Sequence, residues 1–77
     1  EREFGGNSSI FPNPVKHMLT FSSEEIVAIE VYDQMGALII RRNGNTVDMT
    51  NLNPGIYFVL GFDKNKSALY QGKIIKK

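Results

Sequence analysis

The sequence predicts an all-β protein, a small β-sandwich of about seven short antiparallel strands. Three observations carry that expectation. Apolar residues alternate with period two, most clearly over residues 27–33, where Val27, Ile29 and Val31 stand opposite Ala28, Glu30 and Tyr32. Turn-forming residues punctuate the chain about every 8–12 positions, the rhythm of a sandwich. Those Gly, Pro and Asn residues also interrupt every stretch long enough to be helical, and each would cost a helix about 0.7–3 kcal/mol.

Taken in order, residues 1–9 (EREFGGNSS) are charged and then small and polar. Gly5, Gly6, Asn7, Ser8 and Ser9 offer almost nothing to bury, so this segment is expected to be a flexible linker from an upstream host protein, with one domain over residues 10–77. The polar start without an initiator Met reads as a piece cut from something longer. Ile10-Phe11 is a short apolar step halted by Pro12-Asn13-Pro14. Two prolines remove two ladder donors, which confines this piece to a sheet edge or to a bridge between sheets. Residues 17–21 form a second strand, with His17, Leu19 and Phe21 on one face. Ser22-Ser23-Glu24-Glu25 has the spacing of a helix cap, but β-branched residues follow at once, so a turn is expected.

After the alternating strand at 27–33, Asp33-Gln34-Met35-Gly36 makes a tight reversal, since Asp can bond the turn backbone and Gly can take positive φ. Residues 37–42 return as the hairpin partner. Asn43-Gly44 is the strongest two-residue turn signal in the chain, of the kind that closes hairpins, and residues 46–49 are a short strand. Asn51-Leu52-Asn53-Pro54-Gly55 is a compact turn. Residues 56–62 (IYFVLGF) are apolar on both faces, which suits a central strand. Asp63-Lys64-Asn65-Lys66 turns the chain into a last strand over residues 68–77. A positive φ is expected at Gly36, Gly55 or both, and Tyr57 is expected to bury its ring and aim its hydroxyl at a backbone group.

A chain of 77 residues has room for one core, which rarely supplies more than about 3–5 kcal/mol. It contains no cysteine, so no disulfide or thiolate site can help. The net charge of +1 hides a division: acids outnumber bases up to Asp33, whereas Arg41, Arg42, Lys64, Lys66, Lys73, Lys76 and Lys77 make the C-terminal part basic. The first residues lack the layout of a signal peptide, and no apolar run approaches the roughly 20 residues that span a bilayer.

Catalysis finds no footing. There is one histidine, His17, among apolar neighbours, so neither a His-based zinc cluster nor a Cys–His pair can be built. The serines fall in linker or turn contexts and none resembles a nucleophile elbow. Asp63-Lys64-Asn65-Lys66-Ser67 opens like a calcium loop, but the required Gly and Glu are replaced by Ala68 and Ile74 and two lysines sit inside it, so a hairpin turn is the expectation. No cofactor is implied. A nucleic-acid surface would need a basic stripe with stacking aromatics; Tyr57, Phe58 and Phe62 instead lie in the apolar strand.

Four motifs in order, Pro12-Asn13-Pro14, Val31-Tyr32-Asp33-x-x-Gly36, Leu52-x-Pro54-Gly55-x-Tyr57 and Lys73-Ile74-Ile75-Lys76-Lys77, resemble the type IX secretion system C-terminal sorting domain, type A, of Bacteroidetes. The resemblance runs from about Ile10 to Lys77. It implies an immunoglobulin-like sandwich of seven strands that directs a larger host protein through the type IX outer-membrane translocon. On this reading the protein passes through the periplasm to the cell surface or the medium. A sortase-like cysteine peptidase would then remove the domain by cleavage in the linker, here within Gly5, Gly6, Asn7, Ser8 and Ser9. The structural motif positions are Pro12, Asn13, Pro14, Gly36, Gly55 and Tyr57. Recognition by the secretion machinery is expected to fall to Lys73, Ile74, Ile75, Lys76 and Lys77.

The final strand is expected to keep one open edge with solvent-facing lysines, able to add to a receptor sheet and to be steered by charge; the same edge would permit a dimer by strand exchange. One departure from the family pattern stands out. Gly61 occupies an inward position after Tyr57 and Val59 where a β-branched residue is usual, while Phe58, Leu60 and Phe62 load the opposite face, which is either covered or exposed for a partner. The alternative function is an accessory sandwich binding glycan or protein for a secreted enzyme, which would need an exposed aromatic platform or groove.

Overall fold

The computed structural model describes residues 10–77, and these are all-β with no helix. The strands are β1 (Ile10–Phe11), β2 (Met18–Phe21), β3 (Ala28–Tyr32), β4 (Leu38–Asn43), β5 (Thr46–Asp48), β6 (Gly55–Phe62) and β7 (Ala68–Lys76). They form two antiparallel sheets, one in the order β1-β2-β5 and the other β4-β3-β6-β7. The inward side chains of both sheets meet in one core built on Leu19, Phe21, Ile29, Val31, Val47 and Val59. Strand alternation places every second residue there, so Ile29 and Val31 are fully buried while Ala28, Glu30 and Tyr32 are not.

Two hairpins are closed by the same device. The Asp33 carboxylate accepts hydrogen bonds from the Met35 and Ala37 amides, both at 2.9 Å. Asp63 accepts from the Asn65 and Ser67 amides at the same distance. The fourth residue of each turn has positive φ, 87° at Gly36 and 67° at Lys66. This satisfies donors that a tight reversal would otherwise strand. Asp63 to Ser67 is therefore a hairpin turn, the β6–β7 connection preferred from the sequence. Gly55 also has positive φ, at 154°, and the turn over Ser23 is tied by its Oγ accepting from the Glu25 amide at 3.1 Å.

The structure corrects five expectations. The second strand begins at Met18, leaving His17 exposed with its Nδ1 3.5 Å from the Thr50 hydroxyl. The alternating strand begins at Ala28, and Val27 is 41% exposed at the sheet's end, where its amide donates to the Phe62 carbonyl and its carbonyl accepts from the Gly44 amide. Asn43-Gly44 does turn the chain, with φ 105° at Gly44, but it closes no hairpin: β5 crosses to the other sheet and pairs with β2. The last two corrections concern β7 and are described below. Just after β5, the Thr50 hydroxyl and amide both donate to Asp48, at 2.5 and 2.9 Å, and hold its carboxyl below the usual carboxylate range.

Candidate functional site

Pro12, Asn13, Pro14, Gly55, Tyr57 and residues 73–77 come together at one end of the four-stranded sheet, around the last residues of β7. Here β7 pairs with β6 on one side, Lys73 opposite Phe58, Ile75 opposite Ile56 and Lys76 opposite Gly55. Its other side was expected to be open at residues 73–77. It is closed. The Val15 amide donates to the Ile75 carbonyl, and the Lys77 amide donates to the Val15 carbonyl, each at 2.8 Å, so Val15 forms a parallel bridge with Lys76.

Asn13 completes the closure. Its Oδ1 accepts from the Ile75 amide at 3.0 Å, and its Nδ2 donates to the Lys73 carbonyl at 3.4 Å. A side-chain amide thus stands in for a peptide group of a neighbouring strand. Pro12 and Pro14, which can donate nothing to a ladder, hold the segment on this edge and link β1 of one sheet to β7 of the other. The Asn13–Pro14 peptide is cis, and Val15 behind it is fully buried. Two motifs that lie 60 residues apart in sequence are one physical unit. Replacing Asn13 by Ala is expected to cost about 1–2 kcal/mol, since two hydrogen bonds are lost. Amide exchange at Ile75 should accelerate with it; unchanged protection there would show that Asn13 does not close the edge.

Alternation sorts the terminal residues into two sets. Lys73, Ile75 and Lys77 are exposed, whereas Ile74 is fully buried and Lys76 is 6% exposed. The expectation that all the lysines face solvent is therefore wrong at Lys76. It lies on the inward side of β7 with Ile74, and its ammonium donates to the Lys77 carbonyl at 3.1 Å, as a long cationic side chain does when it buries its methylenes.

Of the remaining motif residues, Tyr57 sits near the start of β6, almost wholly buried, and its hydroxyl donates to the Asn53 carbonyl at 2.6 Å. That bond pins the Asn51-to-Gly55 turn to the core, the arrangement of a tyrosine corner. Gly36 lies at the far hairpin, remote from β7 in the sheet order. The expected cleavage region, Gly5 to Ser9, lies outside the described residues.

The outward face of the same sheet carries a feature the sequence left open. Phe58 is 43% exposed and Leu60 and Phe62 are half-buried, so nothing in the described chain covers this row. Beside it, Tyr32 donates to Glu30 at 2.5 Å and the Arg41 Nε donates to the other Glu30 oxygen at 3.3 Å. The bond to Glu30 holds the Tyr32 phenol above its ordinary value. No group of three or more metal-ligating side chains occurs among the described residues, and no helix there is long and apolar enough to cross a membrane.

A family model described as the secretion system C-terminal sorting domain matches residues 9–77. No curated protein and no solved structure matches the chain.

Proposed function

Because the chain belongs to the secretion system C-terminal sorting domain family, a family of export signals and not of enzymes, we propose that it carries a larger host protein through the type IX translocon. The observation that carries this reading is the match over residues 9–77, which takes in the Pro12-to-Val15 segment, the corner tyrosine and the lysine-bearing end together. A sorting domain of this system implies a cargo protein, the type IX machinery, and export to the cell surface or the medium. The finer steps, transit through the periplasm, cleavage within residues 5–9 and removal by a surface sortase, follow from the same reading.

We assign recognition to the terminal residues 73–77 in a form that the geometry refines. The main-chain edge is occupied by Asn13 and Val15, so the presented elements are the exposed side chains of Lys73, Ile75 and Lys77. Ile74 and Lys76 act from beneath, by fixing β7. An immunoglobulin-like architecture is supported by the strand orders β1-β2-β5 and β4-β3-β6-β7, by the crossing from β4 to β5 between sheets, and by the Tyr57 corner.

The test is delivery of a passive passenger. With residues 10–77 attached to an inert periplasmic reporter in a cell that has a type IX system, the reporter is expected on the surface or in the medium. A folded reporter that stays in the periplasm would refute the reading.

A further inference from the structure

The outward positions of β6 are Ile56, Phe58, Leu60 and Phe62, the alternates of buried Tyr57, Val59 and Gly61. An antiparallel sheet with one face in water places polar residues on that face, and its neighbours here obey the rule: Glu30 and Arg41 on one side, Gln71 and Lys73 on the other. β6 departs from it at all four of its outward positions, while exposed Ile39 on β4 and Ile75 on β7 depart from it singly. Ile75, opposite Ile56 and 44% exposed, prolongs the apolar row to the terminal residues. Four apolar residues in line at the centre of a solvated face mark a contact surface.

The charges around the row are unequal. On the β3 side the Glu30 carboxylate is engaged by Tyr32 and Arg41, which neutralises that border. On the β7 side Lys73 and Lys77 are exposed, and among the described residues the Glu30–Arg41 pair is the only salt bridge. Resting on the reading above, we propose that this face is where the domain docks on a protein of the export machinery. The partner would present an apolar patch bordered along one side by carboxylates.

Two other occupants fit the observations less well. Among the described residues, the carboxylate that a second copy would bring between the strands of this face is Glu30, already paired with Tyr32 and Arg41, so it would set lysines against an uncomplementary surface. The area is also small. An eight-residue strand in a sheet of four strands gives a face of about 26 by 19 Å, on the order of 500 Å², below the roughly 800 Å² per partner of a stable interface. That size suits a transient contact. A lipid surface would have to bury the Glu30–Arg41 pair beside the row, and the cost of taking two charges out of water is only partly returned by their attraction.

The test uses the 77-residue chain on the reporter in exporting cells, with a photo-crosslinking phenylalanine at position 58 or, as control, at Asp48 on the opposite sheet. Crosslinks to an outer-membrane protein are expected from position 58 and not from position 48. Phe58→Thr, a residue suited to a solvated strand, should lower delivery about tenfold or more while the purified chain keeps its thermal transition. Capture of only a second copy or only lipopolysaccharide from position 58 would overturn the inference, as would equal crosslinking from position 48. Full delivery of Phe58→Thr would overturn it too, while leaving the sorting reading intact; an unmodified fusion that is not exported would instead defeat both.

Discussion

The chain shortened by residues 73–77 is expected to lose its fold, and with it any cooperative unfolding transition. The deletion removes fully buried Ile74, and loss of such a side chain alone costs about 2–5 kcal/mol. It also strips β6 of its partners from Gly55 to Phe58 and leaves Val15 and Asn13 with no edge to hold. Set against a total of about 3–5 kcal/mol for a core of this size, the balance tips to the unfolded chain. Far-UV circular dichroism with urea titration decides it: a retained cooperative transition would show that β7 is dispensable. The consequence for function is direct. A host protein that fails to leave the cell after this deletion has lost its domain, not merely its address. Reversing charge at exposed Lys73 and Lys77 separates the two, because neither side chain is buried and the fold should survive while delivery falls.

Where the chain turns was legible, and where it pairs was not. Asp33-x-x-Gly36 and Pro54-Gly55 announce reversals because the chemistry that makes a turn lies within four residues. Tyr57 was legible for a similar reason, its acceptor Asn53 standing only four positions back. Asn13 and its acceptor strand are 60 residues apart, and nothing local distinguishes an Asn between prolines that caps a remote edge from one that merely ends a strand. Asn43-Gly44 illustrates the limit from the other side. The dipeptide supplies the backbone that a hairpin needs, yet Thr46 to Asp48 finds its partner in β2 because Val47 has to reach the shared core. Lys76 escaped because its edge partner is remote: period two assigns it to the inward face beside Ile74, but the Val15 backbone that bridges to it and closes this edge lies at the other end of the sequence.

Gly61→Val is expected to destabilise the protein by about 1–3 kcal/mol, the usual cost of forcing extra atoms into a packed core, although valine is the better strand residue. A Cβ at this position would stand 3.0 Å from the Phe21 ring and 3.0 Å from the Ile26 methyl, both nearly wholly buried. The glycine is thus a seat for an aromatic ring, not a weakness in β6. Tyr70, the cross-strand partner of Gly61, packs edge-on against Phe21 with centroids 5.0 Å apart and planes at 81°. The same Tyr70 ring lies where a Cβ on Gly72 would go. Two glycines on neighbouring strands therefore make room for two rings, and the volume missing from the backbone is returned by Phe21 and Tyr70. If so, the penalty depends on the ring. In a Phe21→Leu background, where the ring edge is gone, Gly61→Val should cost measurably less, with a coupling of about 0.5–3 kcal/mol between the two substitutions. Urea unfolding of the two single variants and the double variant measures it. Strict additivity would mean that Gly61 is tolerated for some other reason and that the ring does not claim its space.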